Sequence, residues 1–160
     1  MKRFYLYDQK MSKFTIKELL VLSVDWTVKI SKFYADFREI TDDVSYRKLL
    51  TTMIDQEGQY TEYYEENLRK LDLKSDFGPE FNEILDFNGG SESIPSVSGM
   101  AKIDFLRNAV RYQGISIATC EFLGSLCKTD SGRQIFKTLS DEERRHMLIF
   151  KDHLELEELF

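Results

Sequence analysis

The placement of proline most strongly constrains how this chain can fold. The 160-residue sequence contains only two prolines, Pro79 and Pro95, and both lie near its middle. Proline in a helix interior removes a backbone hydrogen bond and clashes with the preceding turn. The long proline-free segments on either side carry apolar residues at helical spacing. The sequence therefore predicts long helices flanking a central connection.

Capping signals and periodicity predict four long helices. In "FTIKE", Thr15 is the expected N-cap and Glu18 its capping-box partner. The last helix is expected to be capped by Asp130 or Ser131. Between the second and third helices, a long connection contains both prolines and four glycines. The segment "PEFNEILDF" within it is expected to form one or two helical turns. The predicted helices cover about residues 15–40, 44–71, 100–127 and 130–160.

The lengths of the connections predict how these helices are arranged. Short turns join the first helix to the second and the third to the fourth, whereas the connection over about residues 72–99 is long. This order is typical of an all-α four-helix bundle with one crossover connection between helices 2 and 3. We expect a single domain over residues 1–160, because a chain of this length suits one core.

Composition narrows the expected partners and location. The net charge of −6 argues against nucleic acid as a partner. No transmembrane helix is expected, because no run of about eighteen apolar residues occurs, and the N-terminus lacks the apolar core of a secretory signal. Cys120 and Cys127 would lie roughly 10 Å apart on one helix, too far for a disulfide. These features favour a protein of the reducing cytoplasm.

Polar residues interrupt the inward-facing stripes of the second and fourth predicted helices. Such groups are costly in a dry core unless they are hydrogen-bonded or hold an ion. A polar cluster is therefore expected halfway along the bundle. The stripe of the second helix comprises Leu50, Met53, Glu57, Tyr60, Tyr64, Asn67 and Leu71. The stripe of the fourth comprises Phe136, Leu139, Glu143, His146, Phe150 and His153.

An internal repeat relates the two halves of the sequence. The segments "TMIDQEGQY" and "TLSDEERRH" share Thr, Asp and Glu when they are aligned at an offset of 143 − 57 = 86 residues. The same offset aligns the first helix with the third. The sequence therefore predicts an internal two-fold repeat of helical hairpins. Inward polar positions coincide in three pairs: Thr27 with Gln113, Glu57 with Glu143, and Tyr60 with His146.

Four segments carry a resemblance to a known family: "LVLSVDWTVKISKFY", "MIDQEGQY", "RNAVRYQGISIATCEF" and "LSDEERRHMLIF". Through them the chain resembles the rubrerythrin branch of the ferritin-like superfamily, except in its first dozen residues and the connection. The resemblance implies a ferritin-like fold. In that family the first and third helices each supply one Glu, the second and fourth each supply Glu-x-x-His, and two irons are bound.

The chain departs from this pattern at half of the ligand positions. Thr27, seven residues before Tyr34, and Gln113 stand where the family has Glu, and Tyr60 stands where it has His. Two divalent irons bring four positive charges, of which the two retained glutamates cancel only two. Because each unbalanced charge in a dry core costs several kcal/mol or more, a standard di-iron centre is not expected. The Cys-x-x-Cys pairs that hold a rubredoxin iron are also absent.

A single divalent ion fits the remaining residues better. Glu57, Glu143 and His146 are suitable ligands for iron, manganese or zinc, at one ion per chain. The substituted ligand positions or nearby hydrogen-bonding groups are Thr27, Tyr60, Gln113 and Tyr34. By analogy with the family, weak oxidoreductase chemistry is expected, although no catalytic residue is assigned. A homodimer is also expected.

Other interpretations remain open at the level of sequence. In one, the chain is a metal-free descendant whose polar core is hydrogen-bonded, and it serves as a structural or partner-binding module through its surface and the N-terminal "FYLY". In another, an acidic bundle carries an unrelated pocket at the crossover. Ser140 and Glu143 also fit a capping box, which would place a helix start inside the fourth predicted helix.

Overall fold

Four long helices dominate the computed structural model, which describes residues 3–4, 12–87 and 93–160. Two shorter elements, α3 (Leu73–Phe77) and a 3₁₀ helix (Pro79–Asn82), lie in the connection between the second and third long helices. The four predicted long helices are therefore confirmed, with small changes at their ends. They are α1 (Ile16–Ile40), α2 (Val44–Leu68), α4 (Lys102–Leu126) and α5 (Asp130–Glu158).

The predicted capping box at the start of α1 is confirmed. The Thr15 side chain accepts a hydrogen bond from the backbone N–H of Glu18 at 3.2 Å, and the Glu18 carboxylate accepts one from the backbone N–H of Thr15 at 3.2 Å. The predicted cap of the last helix is wrong by one residue or more, because Thr129 caps α5 by accepting from Gly132 N–H. The Thr129 hydroxyl is fixed there because it donates to Asp76 at 2.6 Å.

The second helix ends earlier than the predicted Leu71. It stops at Leu68, and the chain turns before Asp72 caps α3 by accepting from Ser75 N–H at 3.0 Å. The side chain of Asn67 donates to the carbonyl of Tyr63 within the last turn of α2.

A small three-stranded sheet corrects the all-α prediction. Its strands are β1 (Arg3–Phe4), β2 (Ser12–Phe14) and β3 (Leu85–Phe87), in the order β1-β3-β2. The first pairs with β3 in parallel and the second in antiparallel. The helical interpretation of "PEFNEILDF" is thus right for residues 79–82 and wrong for residues 85–87. Those last residues pair with distant N-terminal segments, which a local periodicity cannot reveal.

The core consists of two apolar clusters with a polar layer between them. The first cluster is rich in aromatic rings, including Phe37 and Phe105, whose stacked rings have centroids 4.0 Å apart. The second contains Leu19, Tyr64 and Phe136. On α2 and α5, the buried residues Glu57, Glu143 and His146 lie between residues of the two clusters. Thr27 on α1 and Gln113 on α4 are also buried, and they lie among residues of the first cluster.

Both cysteines are free and buried, and burial raises the pKa of both thiols. Buried thiols whose pKa is raised are typical of structural core cysteines rather than of reactive thiols. No helix of the described segments is long and apolar enough to cross a membrane. Most of the N-terminal "FYLY" segment lies outside the described residues.

Asp76→Ala tests how the connection is anchored to α5. The buried Asp76 carboxylate accepts from the Thr129 hydroxyl at 2.6 Å and from Asp72 N–H at 2.7 Å. Losing two hydrogen bonds to a charged group should lower the free energy of unfolding by about 2–3 kcal/mol, measured by urea denaturation. Asp55→Ala, at an exposed position on α2, is the matched control. Equal effects of the two substitutions would contradict the anchoring role.

Candidate metal centre

Three ionisable side chains meet in the polar layer of the core. Glu57 on α2 and Glu143 and His146 on α5 each offer a ligand atom, and these atoms all lie within 4.8 Å of one another. Their side chains are between 0 and 2% exposed. The predicted cluster is therefore present, and the structure brings all three residues together. A buried group of this composition could hold a metal ion.

The helix geometry explains why the three meet. Glu143 and His146 are three residues apart on α5, so they project from the same face of the helix. The stripe of α2 places Glu57 opposite them, between Met53 and Tyr64, which pack in the two apolar clusters. Because the apolar residues above and below fix the register of the helices, the polar groups face one another at the same height.

The imidazole of His146 is held by two oxygen atoms. Its Nδ1 lies 2.8 Å from Oε1 of Glu57, and its Nε2 lies 2.7 Å from Oε1 of Gln56. The tautomer with hydrogen on Nε2 donates to Gln56 and leaves the lone pair of Nδ1 directed at the carboxylate cluster. This is the arrangement that orients a histidine ligand toward a metal. The ring of Tyr60 packs beside the imidazole, with centroids 5.1 Å apart.

Gln113 joins Glu57 to Tyr34. Its amide nitrogen donates to Oε1 of Glu57 at 2.8 Å and to the hydroxyl oxygen of Tyr34 at 2.7 Å. Burial, and then the nearby charge of Glu57, raise the pKa of Tyr34 well above its usual value. The amide oxygen of Gln113 has no hydrogen-bond partner among the described residues. The predicted role of Gln113 beside the cluster therefore rests on a direct contact with Glu57.

The carboxyl group of Glu143 is the least satisfied group in the core. Both of its oxygens, and Oε2 of Glu57, are buried without a hydrogen-bond partner among the described residues. Burial first, and then repulsion from Glu57, raise the pKa of Glu143 well above its usual value. In the absence of a cation, Glu143 therefore keeps its proton to a higher pH than an ordinary glutamate does, and a protonated Glu143 can donate to Glu57.

Two of the predicted neighbours do not contact the cluster through their hydroxyls. Thr27 is buried, but its hydroxyl donates to the carbonyl of Val24 and shares a hydrogen bond with Thr61 at 2.9 Å. The hydroxyl of Tyr60 donates to Glu142 at 2.8 Å and accepts from Arg145 at 2.9 Å.

Two further residues settle open points of the sequence. Asp25, two residues before Thr27 on α1, is exposed and therefore does not replace the glutamate that is missing at position 27. Ser140 donates to the carbonyl of Lys137 inside a continuous α5, so its interpretation as a cap for Glu143 is wrong.

Sequence reasoning missed Gln56 and Ser116. Gln56 lies one residue, about 100° around the helix, from the inward Glu57, and periodicity assigns it to the edge of the stripe. Only its bond to His146 reveals its role. Ser116 has a buried, unpartnered hydroxyl on α4. The sequence does not distinguish a serine whose hydroxyl is unpartnered from one whose hydroxyl bonds to its own helix.

Comparisons with known proteins support the fold alone. The structure is similar to that of a hypothetical protein from Pyrococcus furiosus, with a TM-score of 0.67 and 18% sequence identity, covering 89% of this chain and 90% of that chain. No protein-family model matches the sequence, and no curated protein matches it. The candidate centre is therefore argued from its own residues.

Glu143→Gln tests the protonation of the buried carboxyl. The pKa of Glu143 is raised in the folded chain, so the unfolded chain loses this proton first as pH rises above about 4.5. Without metal, this residue should therefore lower the free energy of unfolding as pH rises from there toward neutrality. Urea denaturation with chelator at several pH values should show a smaller decline for Glu143→Gln. Parallel pH profiles for the two proteins would contradict the prediction.

Proposed function

We propose that this protein binds a single divalent metal ion through Glu57, Glu143 and His146. These three residues are the ligands that remain from a ferritin-like di-iron site. The ion would be iron, manganese or zinc. One observation carries the proposal: ligand atoms from three residues converge within 4.8 Å, while both oxygens of Glu143 and one of Glu57 are buried without a partner. A cation would satisfy all of these oxygens at once.

The charges favour one ion over two. One divalent ion, two carboxylates and a neutral imidazole sum to zero, which suits a dry site between two apolar clusters. No other carboxylate of the described residues joins the cluster, and the neutral Gln113 stands beside it instead. A second divalent ion would leave two positive charges unbalanced. The charge balance therefore supports a site for one ion.

The surrounding residues would position the ligands. Gln56 would hold the imidazole so that Nδ1 faces the ion, and Gln113 would orient Glu57. The amide oxygen of Gln113, which has no hydrogen-bond partner among the described residues, is a further possible ligand atom for such a metal ion. A bound redox-active ion would supply one-electron chemistry, and weak oxidoreductase activity is the corresponding proposal. Tyr34, fixed by Gln113, would hold its proton on the hydroxyl oxygen beside the site.

Contacts between repeat-related positions support a ferritin-like origin. In a duplicated hairpin with a pseudo-two-fold axis, equivalent residues near the axis meet one another. Trp26 donates to the carbonyl of Tyr112, which lies 86 residues later, and their rings are 5.6 Å apart. Two other pairs with the same separation also approach each other closely: Glu57 with Glu143, and Tyr60 with His146. The long connection between α2 and α4 fits the proposed crossover of a rubrerythrin-like bundle.

One observation favours a second candidate function. With a hydrogen on Nδ1, His146 donates to Glu57, and His146, Glu57, Gln113 and Tyr34 then form a continuous hydrogen-bonded chain without an ion. A metal-free descendant could use this network to fix a unique core and act as a structural or partner-binding module. Oε2 of Glu57, which has no hydrogen-bond partner among the described residues and does not border the internal cavity beside Glu143, weighs against it, because a core selected to be metal-free would be expected to satisfy this atom. Homodimer formation and a cytoplasmic location remain predictions.

Metal content after anaerobic loading with Fe(II) tests the proposed function directly. Elemental analysis should give about one ion per chain for the wild type. Glu143→Ala should bind none while its far-UV circular dichroism stays helical, because it removes one of only two anionic ligands. Asp25→Asn, an exposed acid on α1, is the control and should bind like the wild type. Two ions per chain would mean that a further ligand or a bridging anion had been overlooked, and none would favour the metal-free module.

The pH dependence of binding should follow the proton on Glu143. The pKa of this carboxyl is raised, and the proton must leave before the oxygen can coordinate a metal. Below that raised pKa, displacing one proton should weaken the affinity for Zn(II) about tenfold for each unit that the pH falls. Calorimetry in buffers of different ionisation enthalpy should detect the released proton. Affinity that shows no decline at low pH, over the whole pH range in which the protein stays folded, would contradict this ligand assignment.

A further inference from the structure

A small internal cavity lies beside Glu143. Its volume is about 10 Å³, and every residue that lines it is buried. Trp26 and Leu139 supply apolar walls, whereas Ser116 and Thr119 bring hydroxyl groups from α4. Glu57 and His146 do not line the cavity, so Glu143 is the one member of the metal-binding cluster that borders it.

The hydroxyl of Ser116 is unusual among those around the cavity. A buried serine in a helix commonly donates to a carbonyl of the preceding turn, and Thr119 does so to Ile115 at 2.7 Å. The corresponding carbonyl for Ser116 belongs to Tyr112, and it accepts the indole N–H of Trp26 at 3.2 Å instead. The Ser116 hydroxyl is buried and has no hydrogen-bond partner among the residues that the structure describes. It is therefore available to a molecule inside the cavity.

Glu143 and Ser116 together define the chemistry that the cavity would accept. Within the described part of the chain, the carboxyl oxygens of Glu143 lack hydrogen-bond donors and the Ser116 hydroxyl lacks an acceptor. A ligand must then donate to one and accept from the other. The volume matches the roughly 10–15 Å³ that one water requires. A molecule with a single oxygen atom meets both conditions, and it offsets the cost of burying these groups unpaired.

We propose that Glu143 and Ser116 form a binding site for one internal water molecule. The water accepts the Ser116 hydroxyl proton in a hydrogen bond and donates to the Glu143 carboxyl group. It binds on the cavity side of Glu143, and neither Glu57 nor His146 lines the cavity. The site does not depend on a bound metal, so its test can fail or succeed independently of the proposed metal binding.

Oxygen-17 relaxation dispersion on the full-length, chelator-treated protein tests the site, because it counts long-lived internal waters. Ser116→Val removes the hydroxyl and adds bulk beside the cavity, so the dispersion should fall by about one water per chain relative to the wild type. Thr119→Val is the matched control: it removes a hydroxyl that already bonds to its own helix and should leave the count unchanged. Equal dispersion for the wild type and Ser116→Val would overturn the proposal.

A second measurement needs no variant and covers the case in which Ser116→Val fails to fold. Apolar cavities stay dry and bind xenon, whereas a polar cavity holds water. Crystals of the wild-type protein under xenon pressure should show density for a water between Glu143 and Ser116 and no xenon there. A xenon atom beside Glu143, or a cavity without any density, would show that the site does not bind water.

Discussion

The desolvation of Glu57, Glu143 and His146 governs both the stability of the polar core and its proposed affinity for a metal ion. These side chains are shielded from water between two apolar clusters, where an uncompensated charge costs several kcal/mol. The core can meet this cost by keeping a proton on Glu143 or by binding a cation. Both solutions reduce the negative charge that is buried in the core, and the choice between them links pH, stability and metal affinity in one group of residues.

The three side chains of the cluster differ in how many hydrogen-bond partners they have. Glu57 Oε1 faces both Gln113 and His146, and His146 is held from its other side by Gln56. Glu143, in contrast, has no hydrogen-bond partner among the described residues for either oxygen. A site that positions two ligands firmly and leaves the third carboxylate available is suited to binding a cation. The same carboxylate borders the internal cavity, so it connects the two proposed sites.

All four long helices could be predicted from the sequence because their signals are local. The Thr15–Glu18 capping box, the apolar periodicity and the mid-chain prolines all act within a few residues. The polar cluster was predicted for the same reason, since Glu57, Glu143 and His146 fall on heptad-like stripes. The β3 strand, the Thr129 cap and the role of Gln56 depend on partners distant in sequence: the N-terminal strands, Asp76 and His146. Neither periodicity nor residue type reveals such pairings.

A crystal structure of the Mn(II)-loaded protein, with anomalous scattering used to locate the metal, tests the central claim most directly. We expect a single anomalous peak in the core. It should lie roughly 2.0–2.3 Å from carboxylate oxygens of Glu57 and Glu143 and from Nδ1 of His146, which are typical metal–ligand distances. Gln56 should still hold Nε2 of that imidazole. Two peaks in the core would contradict the single-ion site, and a peak confined to the acidic surface would contradict metal binding by these residues.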